Sequence, residues 1–194
     1  MRLHHHHLCS DDDCYYLWEW DAAPYATSAV TDFIGNFQKD MKFRNAHWPW
    51  HFKKQAILHA ARAIRQVALP QWENCVYVPV PPSKIKDDPG HDPRLVVTLA
   101  QSGLNGHELV VQLSNTESRV KNIPPHVRAN NWKLEIGSLT SVPERFVVFD
   151  DLLTGASHFA GMKIVLARKF PDVPVSGLFL ARRLLQNQAA DPSA

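Results

Sequence analysis

Residues Phe146-Val147-Val148-Phe149 form an unbroken apolar run that stops at two adjacent acids, Asp150 and Asp151. Leu152 and Leu153 follow, then the small-residue turn Thr154-Gly155-Ala156-Ser157, then a further apolar-rich stretch to Phe170. Few architectures accommodate that order. A strand that is apolar at every position is buried on both faces, so its sheet is covered by helices on each side. In such sheets ligands bind beyond the carboxyl ends of the strands. An unpaired buried carboxylate is costly, so a buried strand that ends on two acids has a use for them. Small residues let backbone N–H groups approach a ligand. A helix starting near Ser157 adds free N–H groups and the positive end of its dipole, which favour phosphate. The layout therefore suits ribose hydroxyls or a magnesium-bound sugar on the acids and a phosphate on the turn. The competing reading is a solvated acidic loop with Ser157 as an ordinary N-cap.

The rest of the chain fits the same class. Tyr15 to Trp20 is rich in strand-forming aromatics, and Thr31 to Phe37 reads as a short helix. His51 to Leu69 is a stronger helix. Phe52, Ala56, Ile57, Ala60, Ala61, Ile64, Val67 and Ala68 recur at three- and four-residue spacing on one face, with Lys53, Lys54, Arg62 and Arg65 on the other. Pro70 ends it. Cys75 to Val80 is a short apolar strand, Arg94 to Gln101 a helix, Glu108 to Leu113 another strand. Ser114 to Glu144 carries few periodic signals. Ser157 to Phe170 is a helix and Pro174 to Ala181 a last strand. Alternating strands and helices predict an α/β fold with a mainly parallel sheet flanked by helices.

Phe146 to Ser157 resembles the phosphoribosyl-pyrophosphate-binding motif of type I phosphoribosyltransferases: four apolar residues, two acids, two apolar residues, and a turn rich in Thr and Gly. Here Gly155 comes one place early and Ala156 stands at the usual Gly site. Val76-Tyr77-Val78-Pro79-Val80-Pro81-Pro82-Ser83-Lys84 resembles the strand and pyrophosphate loop of the branch related to competence protein F. The resemblance covers Val76 to Arg183. It implies that Asp150 and Asp151 hold the ribose hydroxyls and, through the substrate, Mg2+. It implies that Leu153, Thr154, Gly155, Ala156 and Ser157 bind the 5-phosphate. Lys84 and Arg94 become candidates for the pyrophosphate, Lys84 as a point charge and Arg94 as a fork. The family's flexible catalytic loop would fall at Arg119 to Trp132, with Arg119, Lys121, Arg128 and Asn131 as contributors. His158 follows the phosphate turn directly. Each of these cations and histidines has the plainer alternative of a solvated surface residue.

Composition narrows the partners. The net charge is +2 over 194 residues, with both signs spread along the chain. That gives no strong field for nucleic acid. No apolar run is long enough to predict a membrane span, and no basic-then-apolar leader is visible. The expectation is a cytoplasmic protein. Three cysteines, Cys9, Cys14 and Cys75, do not make a disulfide framework. His4 to His7 could hold a metal with Cys9 and Cys14, but the plainer reading is a tail. Six tryptophans, Trp18, Trp20, Trp48, Trp50, Trp72 and Trp132, could stack on a base or fill the core.

The expected organisation is a disordered tail at 1–14 and an aromatic and helical N-terminal extension at 15–73, acting as hood or partner surface. A phosphoribosyltransferase-like core follows at 74–185, then a flexible tail at 186–194. The resemblance implies transfer of a phosphoribosyl group from phosphoribosyl pyrophosphate to a nitrogenous acceptor, or hydrolysis of a related N-glycoside. A second expectation is a catalytically altered binding, regulatory or effector subunit, as a homodimer or in a larger assembly. Phosphoribosyltransferase-like proteins also occur in bacterial defence modules, retron-type ones included.

Overall fold

The structure is a computed structural model that describes residues 8–23, 27–67, 72–116 and 123–184. Its centre is a four-stranded, all-parallel sheet flanked by helices, a Rossmann-like arrangement. The strands are β1 (Cys14–Trp20), β2 (Cys75–Pro79), β5 (Arg145–Leu153) and β6 (Val175–Arg183), in the order β1-β6-β5-β2. The helices are α1 (Ala29–Phe37), α2 (His47–Val67), α3 (Arg94–Ser102), α4 (Pro125–Asn130) and α5 (Ser157–Ala167). A separate antiparallel pair joins β3 (Val110–Gln112) to β4 (Trp132–Leu134).

The expected strand at Glu108 to Leu113 therefore exists in its centre but lies outside the parallel sheet. It pairs with β4, whose three residues carry no readable period in the sequence. The stretch from Ser114 to Glu144 also holds α4, six residues long. The parallel sheet itself is as expected. Phe146 to Phe149 are fully buried, as a strand covered on both faces must be.

The N-terminal region is continuous with this sheet. β1 lies parallel to β6, with Tyr16 beside Phe179 and Trp18 beside Ala181. Order also begins before the expected boundary at residue 14. Asp12 is buried, accepts from the Cys9 backbone N–H, and pairs with Lys163 of α5. Residues 1–7, with the histidine run, and 186–194 lie outside the described residues.

α2 starts at His47, four residues ahead of the expected start, and runs through Pro49. A proline in the first turn is tolerated because its missing N–H would have had no partner. One assignment on this helix is reversed. Phe52 is exposed and Lys53 is only 1% exposed. The two sit next to each other at the border of the apolar stripe. Lys53 goes inward because three acceptors wait for its ammonium: the Phe37 and Lys39 carbonyls and Asp92.

No helix among the described residues is long and apolar enough to cross a membrane.

Candidate functional site

Consecutive residues on a strand point to opposite faces, and that rule divides the two acids. Asp150 lies beside Phe179, whose ring packs against Phe159 of α5. Its carboxylate meets the Nδ1 of His158, at 2.9 Å, on that helix. Asp151 points the other way, toward the ends of α1 and α3. Gln38, just past α1, donates to its Oδ2 at 2.9 Å. The Arg94 fork, at the start of α3, donates to the same oxygen through Nε at 3.1 Å and Nη2 at 2.6 Å. Both acids are buried, 4% and 6% exposed, and both are partnered.

Behind Asp151 runs a chain of charges. Arg94 Nη1 also donates to Asp92 at 2.8 Å, and Asp92 accepts from Lys53 Nζ at 2.7 Å. The order Lys53–Asp92–Arg94–Asp151 alternates in sign, so each buried charge has an opposite neighbour, which is the condition for keeping it. The titration of the two acids follows. Burial pushes the Asp150 carboxyl above its ordinary value, and the His158 contact only partly offsets this. Burial pushes Asp151 up as well, but the Arg94 guanidinium and the hydrogen bonds from Arg94 and Gln38 outweigh it, so the net shift is downward.

The turn after β5 is unusual in its backbone. Ala156 has φ 58° and ψ 11°, the left-handed conformation, and is the only non-glycine residue with positive φ among those described. The position where the family resemblance calls for Gly thus adopts the conformation that Gly supplies most easily. Gly155 does not have a positive φ, and a Cβ built on it would meet nothing within 4 Å. The space above Gly155 is open. α5 begins on Ala156 without a side-chain cap, so its first N–H groups lack the usual partner. Thr154 is exposed, whereas the Leu153 side chain is fully in the core. Leu153 can therefore offer a ligand only its backbone.

Arg128 is brought to this turn by close packing of α4 on α5. Gly161 permits the approach, since a Cβ there would sit 2.9 Å from the Trp132 ring and 3.2 Å from the Pro125 carbonyl. Arg128 Nε then donates to the Ser157 hydroxyl at 3.0 Å. Among the described residues Arg128 makes no ion pair within 4.0 Å, and burial lowers its pKa. A guanidinium at a helix N-terminus faces the positive end of the dipole. Together they concentrate positive charge at the turn.

Lys84 lies on the loop after β2. Val80 N–H bonds the Phe149 carbonyl, so this loop leaves the sheet beside the acid pair. The Lys84 carbonyl is held by His91, and Ser83 by Thr116. The Lys84 ammonium has no ion pair among the described residues and no contact to Asp150 or Asp151. Arg119 and Lys121 lie outside the described residues.

The site therefore unites Asp150, Asp151, Arg94, Arg128, Ser157 and His158. It adds Gln38, Asp92 and Lys53, which the sequence reading missed. Gln38 and Asp151 are 113 positions apart, and no local pattern links them. Asp92 offered a weak signal as an acid just ahead of Pro93 and a helix start. No group of three or more His, Cys, Asp or Glu among the described residues is arranged to hold a metal. Asp150 and Asp151 face opposite ways, and Asp151 is taken by Arg94. No family model matches the sequence, and no curated protein matches it.

Proposed function

We propose that the chain carries a phosphoribosyltransferase-type fold and binds phosphoribosyl pyrophosphate at the carboxyl end of β5. It then transfers the phosphoribosyl group to a nitrogenous acceptor. The observation that carries the reading is the turn at Ala156. A non-glycine residue held in the left-handed region costs energy, and such strain persists mainly where function requires it. Here it uncaps α5 beside Arg128 and leaves open space over Gly155, which suits a phosphate. Magnesium enters in this reading as part of the substrate, on its pyrophosphate.

The ion pairs at the acids give binding the form of an exchange. The pyrophosphate competes for the Arg94 fork, and Asp151, once released, accepts the ribose hydroxyls. Asp150 accepts a hydroxyl when His158, 42% exposed, turns outward. Lys84 lies on the neighbouring loop as a second cation for the pyrophosphate. In the reaction the bond from ribose C1 to pyrophosphate breaks and a bond from C1 to the acceptor nitrogen forms. The acceptor's proton leaves to solvent or to the pyrophosphate. The residues act by position and charge.

The Arg94–Asp151 pairing also favours a second reading, a binding or regulatory subunit in which the fork never releases. Pyrophosphate release separates the two. The protein is incubated with phosphoribosyl pyrophosphate, Mg2+ and a panel of purine, pyrimidine and pyridine acceptors. Acceptor-dependent pyrophosphate that disappears in Asp150→Asn/Asp151→Asn supports the transferase. Binding with no release across the panel supports the regulator.

A further inference from the structure

A cavity of about 560 Å³ lies between edge strand β1 and the second half of α2. That is within the usual range for a small-molecule site, roughly 300–1,000 Å³. It is distinct from the β5 turn. β6 separates β1 from β5, and the cavity's α2 residues, His59 to Val67, begin six positions beyond Lys53. At ~1.5 Å per residue, that places them about 9 to 21 Å farther along the helix axis.

Its lining has a specific chemistry. Trp18 stacks on His59, centroids 5.5 Å apart and planes 14° from parallel. Tyr15 meets Trp72 edge to face at 5.1 Å. Both aromatic pairs line the cavity, together with Arg62 and Gln66. No acid lines it. Arg62 is exposed and makes no ion pair or side-chain hydrogen bond among the described residues. Flat walls favour a flat guest, because stacked and edge-on aromatic contacts add to simple burial. A permanently charged guanidinium with no acidic partner among the described residues favours one negative group on that guest. Gln66 offers both a donor and an acceptor for a ring edge.

We infer that this cavity is a second ligand site, for a planar heteroaromatic ring carrying one anionic group, with Arg62 as the anion anchor and the Trp18 and Tyr15 pairs as the ring platform. Nucleoside 5′-monophosphates carry both features, a planar heteroaromatic ring and an anionic group. The inference stands on the cavity alone and does not depend on phosphoribosyl chemistry at β5.

Calorimetric titration of the full chain with adenosine 5′-monophosphate, adenosine and inorganic phosphate tests it. The expected result is that the monophosphate binds more tightly than adenosine and that phosphate alone does not bind here. Arg62→Gln should weaken the monophosphate about tenfold and leave adenosine unchanged. Ala63→Phe, which fills the cavity from α2, should remove both. Gly155→Ala, which blocks any 5′-phosphate binding at the β5 turn, should leave the monophosphate binding that depends on Arg62 intact. No heat from either nucleoside ligand would overturn the site. So would monophosphate binding that ignores Arg62→Gln and Ala63→Phe, or binding that Gly155→Ala abolishes, which would place the ligand on the β5 turn.

Discussion

Ala156 sits at φ 58° with its side chain buried. The left-handed conformation costs an L-residue roughly 1–2 kcal/mol, and glycine relieves that cost. Ala156→Gly should therefore stabilise the protein by about 1 kcal/mol, raising the melting temperature by ~2 °C for a chain of this size. Thermal unfolding checks it, and a clear loss would mean that the Ala156 methyl matters more than its backbone. Its neighbours on β5 should part company with pH. Asp150 has a raised pKa, so its contribution is fully present below the ordinary carboxylate value and is lost as pH rises through the raised one. Asp151 has a lowered pKa, so its contribution is present above the ordinary value and is lost as pH falls through the lowered one. Asp150→Asn should then be neutral or stabilising near neutral pH. Asp151→Asn should cost about 3 kcal/mol there, because it leaves Arg94 short of a partner, and the cost should fade in acid. Denaturant titrations between about pH 3 and pH 7 read both. Equal effects of the two substitutions would refute the division of the acids between the two faces.

At the level of elements, α2 shows where sequence patterns stop being sufficient. The apolar stripe correctly predicted a helix, and Ala56, Ile57, Ala60 and Ile64 are buried as the spacing requires. It put Val67 on the buried face, where the structure has it exposed, and it misplaced Phe52 and Lys53, because a stripe border does not reveal which side chain has acceptors nearby. Those acceptors come from the end of α1 and from Asp92, which is 39 positions away. Lys53→Met should cost about 3 kcal/mol, since it leaves Asp92 and two carbonyls underpaired. Lys54→Met, exposed on the same helix, should stay within ~0.5 kcal/mol. Similar losses from both would contradict the buried network. β4, and with it the pairing of β3, was illegible for a different reason. A strand of three residues, such as Trp132 to Leu134, is too short to establish a period.

For the whole molecule, the parallel sheet was legible because β2 is apolar, β5 and β6 each carry an unbroken apolar run (Phe146 to Phe149 and Leu178 to Ala181), and each strand is bounded by turn or helix signals. The role of β1 was not. An aromatic segment reads as strand-forming, yet nothing local says that Tyr16 will lie beside Phe179. The consequence is that residues 74–185 alone should fail to fold cooperatively. They lack β1 on the open edge of β6, and they lack α1 and α2 against the Asp151 face. A sharp unfolding transition from that fragment would contradict this.

The acid pair and the turn were legible in order and composition, but their partners were not, since Arg94 and Asp151 lie 57 positions apart. That pairing makes ligand binding the decisive question. Calorimetry with phosphoribosyl pyrophosphate and Mg2+ addresses it most directly, comparing the unmodified protein with Gly155→Ala. A Cβ at Gly155 meets only open space in the free protein, so that substitution should leave the melting temperature unchanged. The account predicts saturable binding by the unmodified protein, weakened at least tenfold by Gly155→Ala. No binding by the unmodified protein, or binding that Gly155→Ala leaves untouched, would contradict it.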